Sequence, residues 1–390
     1  MKIAHLCLSC FYVDGFSYQE NELVRQHVVD GHDVVVIAST ESFGPDGALT
    51  HVQPGSYMGT DGARVIRLPY RRWIPGMLAP KLRLHPNVYR LLSAERPDAI
   101  LFHGLCGWEL LTVSRYKRAH PEVSLFADSH EDFNNSARSF LSRYLLHWAY
   151  YRTILHAALR SIDKVLCVSD ETISFVQDFY RVPARNIEFF PLGGKVLQDH
   201  AYFAARAATR ASYGILDHHV LLVQSGKMDA SKKLLQSLKA FVRQPDPELR
   251  FLVVGHLQGD IAVEAKKLID ADRRIVFAGW KSAAELQSIL CAADVYLQPG
   301  TQSATMQMSL CLRCAVILDD VPSHRRYVKE NGWLIGGDRT LDAVLAEISQ
   351  SPHQLTTMSA HSHAFASEYL DYQILAERIT RAAPAFALHP

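Results

Sequence analysis

Short runs rich in Val, Ile, Leu and Phe recur along the chain, each separated from the next by a segment long enough for a helix. The first half gives KIAHLCLS, HDVVVIAS, ARVIRLP, DAILFHG, SLFADSH, KVLCVS and IEFFPLG. The second half restarts with VLLVQSG, RFLVVG, RIVFAGW, DVYLQPG and AVILDD. An amphipathic helix is predicted from about Tyr18 to Asp30, between the first two runs. Near-continuous apolar strands alternating with helices predict an α/β fold, with parallel sheets covered on both faces. The Gly-rich break PLGGK, Pro191 to Lys195, divides the chain nearly in half. The expectation is two doubly wound domains, 1–193 and 194–368, hinged near Gly193-Gly194, and a closing segment 369–390 whose helix crosses back to the first domain. Two facing parallel sheets would gather the carboxyl ends of their strands around one cleft.

Composition narrows the class. A chain of 390 residues is too long for one ordinary core. With a formal net charge of +1 there is no global electrostatic case for nucleic acid. The opening MKIAHLCLS alternates instead of forming a signal-peptide core, and no apolar run is as long as a membrane span. The expectation is a cytoplasmic protein. Seven cysteines, an odd number, argue against a disulfide framework. Cys7/Cys10 and Cys311/Cys314 have metal-like spacing, but lack the tight turns of zinc knuckles and read as small buried apolar residues.

Several sites are absent: there is no GxGxxG, no GxxxxGK[ST], no GxSxG and no HExxH. One DxD occurs at Asp270-Ala271-Asp272, but it precedes the strand RIVFAGW and so lies at the amino end of that strand, where a solvated turn is expected. No metal site is expected.

Two loops carry the candidate chemistry. In VLLVQSGKMDASKKLLQSLKAF a strand ends at Gly226, Lys227 follows, and Ser231 is the expected N-cap of a helix with Lys232 and Lys233 on its first turn. Cations are disfavoured at a helix amino end, and an anion there would reverse that cost. The stretch is thus either a diphosphate clamp built on Lys227 and Lys232 or a solvated basic turn. In DVYLQPGTQSATMQMSLCLRCAVILDD the chain breaks at Pro299-Gly300 and then offers Thr301, Gln302, Ser303 and Thr305 before a helix expected near Ala304, capped by Ser303 or Thr301. A row of neutral hydrogen-bonding groups after a buried strand suits a hydroxyl-rich group beside phosphates, as in a nucleotide-sugar.

At this point the sequence resembles a GT-B glycosyltransferase, and more closely the retaining family 4, the glycosyl transferases group 1, over nearly its whole length. The opening strand, the DGFSYQENELVRQHVVDGHDVVVIAS segment, CVSD, FFPLGG, SGKMDASKK, VVGHLQG, FAGW and AADVYLQP carry the resemblance. It implies two Rossmann-like domains facing each other. SGKMDASKK is similar to the family's GRLxxxKG motif, with Lys227 in place of its Arg and Lys232 in place of its Lys. The family's E-x7-E pair falls on Gly300 and Met308, so neither carboxylate is present. Gly226, Gly300, the loop Thr301–Ser303, Thr305 and Gln307 are then left to bind the donor, together with Gly15 and Ser17 of the first loop. FADSHEDF resembles the family's His position beside the donor sugar, which implies a catalytic role for His130. LFHGLCGW places His103 at another strand end, and the resemblance implies acceptor contacts from His103, Gln19 and Glu131. In a chain with 19 histidines, a satisfied structural histidine is the default reading of any one of them.

The segment Pro69 to Leu92 mixes Arg71, Arg72, Lys81, Arg83 and Arg90 with Trp73, Ile74, Met77 and Leu78, a pattern that suits either an anionic membrane surface or ordinary snorkelling side chains. The expected activity is retaining, metal-independent transfer of a sugar from a nucleoside-diphosphate donor, a UDP-sugar in preference to a GDP-sugar. The acceptor is a hydroxyl of a growing glycan or lipid-linked saccharide, in bacterial surface polysaccharide biosynthesis (lipopolysaccharide or capsule) at the inner face of the plasma membrane. The alternatives are a non-catalytic GT-B-like subunit, favoured by the missing carboxylates, and a GT-B sugar-nucleotide epimerase.

Overall fold

In the computed structural model the described residues are 1–44, 48–259, 261–300 and 303–381; Thr301 and Gln302 lie outside them. The chain forms two compact units. Unit 1 takes Met1–Pro191 together with the end of the chain from Tyr372, and unit 2 is Leu192–Asp371.

Unit 1 holds β1 (Lys2–Cys7), β2 (Asp33–Ser39), β3 (Glu41–Phe43), β4 (Leu49–His51), β5 (Gly55–Met58), β6 (Arg64–Leu68), β7 (Ala99–Phe102), β8 (Ser124–Ser129), β9 (Lys164–Cys167) and β10 (Ile187–Phe189). Eight of them form one sheet in the order β10-β9-β8-β7-β1-β2-β6-β5, while β3 and β4 pair separately. Every pairing in the large sheet is parallel except that of β5 with β6. Side chains alternate between the two faces, as strand geometry requires. Ile100, Phe102, Leu125, Ala127, Val165 and Cys167 enter one core, and Leu101, Phe126 and Leu166 enter the other. That second core is closed by Leu23 of the Gln19–Val29 helix and by Leu375, Ala376 and Ile379 of the Tyr372–Thr380 helix. Burying Leu375 and Ile379 contributes about 1.5–3 kcal/mol each, which holds the end of the chain on this unit.

Unit 2 is a single parallel sheet of β11 (Val220–Met228), β12 (Leu249–Leu257), β13 (Ile275–Gly279), β14 (Val295–Gln298), β15 (Ala315–Asp319) and β16 (Gly332–Ile335). Its order is β13-β12-β11-β14-β15-β16. Numbered within the unit this is 3-2-1-4-5-6, the doubly wound dinucleotide order, whose direction reverses between β11 and β14. Asp294 pins these two strands at their amino ends. It accepts from Leu221 N at 2.7 Å and pairs with Arg206 at 2.5 Å and Arg210 at 3.1 Å. The opposite ends of β11 and β14 therefore form the switch point where ligands bind in such sheets.

Candidate active site

The carboxyl ends of β11 and β14 come together through their loops. After β11, Asp229 accepts from the amides of Ser231 at 2.9 Å and Lys232 at 3.3 Å, closing one tight turn over Ala230–Lys232. Lys233 then takes a left-handed conformation with φ of 52°, and the α-helix begins only at Leu234. The expected Ser231 cap with Lys232 and Lys233 on the first helical turn is thus corrected. An acidic side chain two residues earlier wins the amides, because a carboxylate is a stronger acceptor than a hydroxyl. Lys233 points away to pair with Asp319 at the end of β15. Lys227 is exposed, and the partly buried Lys232 has its amine pKa lowered by desolvation, with Asp229 opposing the shift. The Lys232 carbonyl accepts from Gln224 Nε2 at 2.8 Å, which ties the turn back to β11.

Gly300, after β14, packs against this turn. A Cβ added to Gly300 would lie 2.3 Å from the Ser231 carbonyl oxygen and 3.2 Å from the Lys232 Cα. The turn occupies the place where a side chain at 300 would begin, so the position aligned with the first family Glu has no room for a carboxylate.

Beneath the loops runs a buried polar ladder. Ser225 Oγ lies 3.1 Å from the Tyr296 hydroxyl, which donates to Gln298 Oε1 at 3.2 Å. Ser303 Oγ donates to the same oxygen at 2.6 Å. Ser303 does occupy the N-cap position of the Ala304–Cys311 helix, but its hydroxyl is committed to Gln298 and makes no cap bond. Thr305 is half-buried on the first turn of that helix. Gln307 is fully buried, with Nε2 3.3 Å from the Tyr327 hydroxyl. Its assignment to the donor is corrected, since the fourth residue of the helix turns toward the core. Thr301 and Gln302 lie outside the described residues. Ser225, Tyr296, Gln298, Gln224 and Asp229 were missed in the sequence. Their only signal was a polar side chain inside an apolar strand, or in Asp229 an acidic residue just before a turn.

In unit 1 the loop after β1 is held by Asp61, which accepts from Tyr12 OH at 2.9 Å, Asn21 Nδ2 at 2.7 Å and Arg25 Nη2 at 2.6 Å. Gly15 sits there at φ of +79°, exposed beside exposed Ser17. Gln19 is buried and donates to the Pro191 carbonyl at 3.2 Å. Glu131 accepts from Cys106 Sγ at 2.9 Å and Ser129 Oγ at 2.5 Å. With these contacts Glu131 is tied into the loop frame and Gln19 into the interior, where Gln19 Oε1 is buried without a hydrogen-bond partner among the described residues, so neither is an exposed group turned to an acceptor.

His103 is buried too, and belongs to a chain of imidazoles. His27 Nε2 meets the Ala376 carbonyl at 3.1 Å and His27 Nδ1 meets His5 Nε2 at 3.0 Å. His5 Nδ1 meets His103 Nε2 at 3.0 Å, and His103 Nδ1 meets Asp128 Oδ2 at 2.6 Å. A carbonyl can only accept, so His27 Nε2 donates. With His27 and His5 neutral, each in turn accepts on Nδ1 and donates from Nε2, and His103 Nε2 is the donor to His5. Nδ1 of His103 then also donates if Asp128 is ionised. Ionisation is favoured by the Gly104 amide, which donates to Asp128 Oδ1 at 2.7 Å. Burial works against charge on His103, but Asp128 outweighs it and lifts the His103 pKa to about 10. Burial lowers His27 to about 4 and holds His5 well down. His103 is therefore corrected from an acceptor contact to an internal imidazolium, because both of its nitrogens are taken. His130, by contrast, is exposed after β8, with Nε2 3.9 Å from Asp128 Oδ1. His5, His27 and Asp128 were not singled out in the sequence.

The remaining expectations concern metals. Asp272 pairs with Arg274 at 2.6 Å just before β13, as a turn would. All seven cysteines are free thiols; Cys7 and Cys10 pack in an apolar cluster of unit 1, and Cys311 and Cys314 are buried in unit 2.

Unit 2 is thus a doubly wound sheet of the nucleotide-binding strand order, with two loops meeting at its switch point and lysines beside them. Residues 17–193 match the glycosyl transferase 4-like domain, and residues 219–351 match the glycosyl transferases group 1 domain. The chain belongs to the group 1 glycosyltransferases, enzymes of the GT-B fold. Solved structures similar to it include HepE from Anabaena in complex with UDP, at 15% identity and a TM-score of 0.63, covering 97% of this chain and 98% of that one. WaaG, a glycosyltransferase involved in lipopolysaccharide biosynthesis, is similar at 16% identity and TM-score 0.62, over 97% and 99%. Sucrose-phosphate synthase from Thermosynechococcus elongatus is similar at 15% identity and TM-score 0.64, over 97% of each. At such identities these likenesses bear on the fold alone. No curated protein matches the chain.

Proposed function

We propose that the protein transfers a sugar, with retention and without a metal ion, from a nucleoside-diphosphate donor to a hydroxyl of a glycan or lipid-linked saccharide. The observation that carries this reading is the meeting of the Ala230–Lys232 turn with Gly300 at the β11/β14 switch point, with Lys227 and Lys232 beside it. A desolvated ammonium at a strand end is stabilised by an anion, and the developing diphosphate charge is what such a group acts on in transfer. In the proposed step the bond from the sugar C1 to the phosphate oxygen breaks and a bond to the acceptor oxygen forms on the same face. The acceptor proton passes to the leaving phosphate. Ser303 and Thr305, with Thr301 and Gln302, are assigned to the sugar and phosphate end of the donor. A UDP-sugar is preferred as donor, in line with the UDP complex of HepE, and a surface polysaccharide as product, in line with the role of WaaG.

The test combines melting and transfer. A donor that binds the folded state raises its stability by about 2.7 kcal/mol at a hundredfold excess over Kd. UDP and UDP-sugars are expected to raise the melting temperature in excess chelator more than GDP and GDP-sugars do, with transfer persisting under the same conditions. Activity lost in chelator and restored by Mg²⁺ or Mn²⁺ would refute metal independence. A panel in which no nucleotide raises the melting temperature would favour the non-catalytic reading.

A further inference from the structure

The outer surface of unit 1 contains a helix whose exposed side is its most apolar side. The segment Ser142–Tyr151 is wound as a π-helix and continues into Arg152–Ala158. It turns His147 and Tyr151 inward, and leaves Leu141, Tyr144, Leu145, Trp148 and Ala149 exposed, with Phe140 just before it. Phe140 is 75% exposed, Leu141 66% and Leu145 62%. Surface helices normally show the reverse pattern.

A second exposed apolar group adjoins it. In the loop before the Ala79–Leu82 turn, Trp73 is 74% exposed and Met77 86%. The two segments are fastened together, because the Tyr150 hydroxyl donates to the Leu82 carbonyl at 3.0 Å and the Tyr151 hydroxyl to the Lys81 carbonyl at 2.5 Å. With roughly 150–250 Å² for each large side chain, the exposed parts amount to the order of 1,000 Å², above the few hundred usual on a monomer.

Charge selects the occupant. Lysines and arginines number 41 in the whole chain against 40 acidic residues. Residues 69–94 nevertheless contain Arg71, Arg72, Lys81, Arg83 and Arg90 and no Asp or Glu. Residues 134–162 contain Arg138, Arg143, Arg152 and Arg160 and again no Asp or Glu. Arg71, Arg72, Lys81 and Arg138 are exposed. Two tryptophans and aliphatic side chains ringed by cations, with no acidic group in either segment, match the headgroup region of an anionic bilayer.

We infer that this two-part surface, Arg71–Lys81 with Arg138–Trp148, docks unit 1 on an anionic lipid membrane. No helix among the described residues is long and apolar enough to cross a membrane, so the docking is interfacial. The inference is independent of the donor reading, and its test needs no nucleotide. The whole protein is sedimented with vesicles of phosphatidylcholine alone and of phosphatidylcholine mixed with phosphatidylglycerol. Binding is expected only to the mixed vesicles and is expected to weaken with added salt. The variant Trp73→Ser/Trp148→Ser should bind at least tenfold more weakly, and Arg71→Glu/Arg72→Glu should lose the preference for anionic lipid. Because these side chains are exposed, both variants should melt like the parent. Failure of the parent to bind anionic vesicles, equal binding by both variants, or a stable dimer in solution that is broken by the tryptophan variant would each overturn the inference.

Discussion

The histidine chain of unit 1 makes a quantitative prediction for Asp128→Asn. His103 is raised from an unfolded value of about 6.5 to about 10. A group whose pKa is raised on folding stabilises the folded state fully below its unfolded pKa, and that stability is lost as pH rises through the folded pKa. At about 1.4 kcal/mol per pH unit, the charged pair contributes on the order of 3–4 kcal/mol at pH 7, and about 1–2 kcal/mol at pH 9. Asparagine keeps the shape and satisfies the geometry. Its amide can donate to Nδ1 of a neutral His103 while Nε2 still donates to His5, so the rest of the chain is undisturbed and chiefly the charge is removed. Relief of the carboxylate's own burial offsets part of the loss, leaving about 2–4 kcal/mol at neutral pH. Urea titrations of parent and variant at pH 6.5, 8 and 9.5 should show the difference shrinking as pH rises. Nitrogen NMR of the parent should show both His103 ring nitrogens protonated at pH 7. A stability difference that stays constant from pH 6.5 to 9.5, or a neutral His103 in the parent, would refute the argument.

Lys232→Ala should leave the melting temperature of the free protein nearly unchanged and weaken nucleoside diphosphate binding by roughly 1.5–3 kcal/mol, measured by calorimetry; binding equal to the parent would remove Lys232 from the donor site. Because burial lowers the Lys232 pKa, diphosphate binding by the parent should weaken on the alkaline side, and Lys232→Arg should abolish that pH dependence. Gly300→Glu, which restores the family carboxylate, should lower kcat/KM instead of raising it, since a Cβ there would displace the Ser231 carbonyl 2.3 Å away; a gain in activity would show that the turn yields easily.

The chain's periodicity was enough to read the alternation of strands and helices and the parallel sheets, because a buried strand reports its own burial through consecutive apolar residues. The loops after VLLVQSG and DVYLQP were legible for a similar local reason: breakers and small polar residues interrupt an apolar strand at its carboxyl end. The loss of both family carboxylates at Gly300 and Met308 was also visible. What filled their place was not, since the approach of Gly300 to Ser231 joins residues 69 positions apart in the chain. Ser303 looked like a cap, yet its hydroxyl was claimed by Gln298, and Gln307 looked available until the helix turned it to Tyr327. His5 and His103 are 98 residues apart, and His27 and the Ala376 carbonyl 349 apart. Nothing local marks those histidines as one chain, because a hydrogen bond needs position and direction and only the packed sheet and its two covering helices supply them. The same holds for the outer face of Ser142–Tyr151. Its residues read as apolar in either case, and tertiary packing alone decided that His147 turns inward while Leu145 and Trp148 face out.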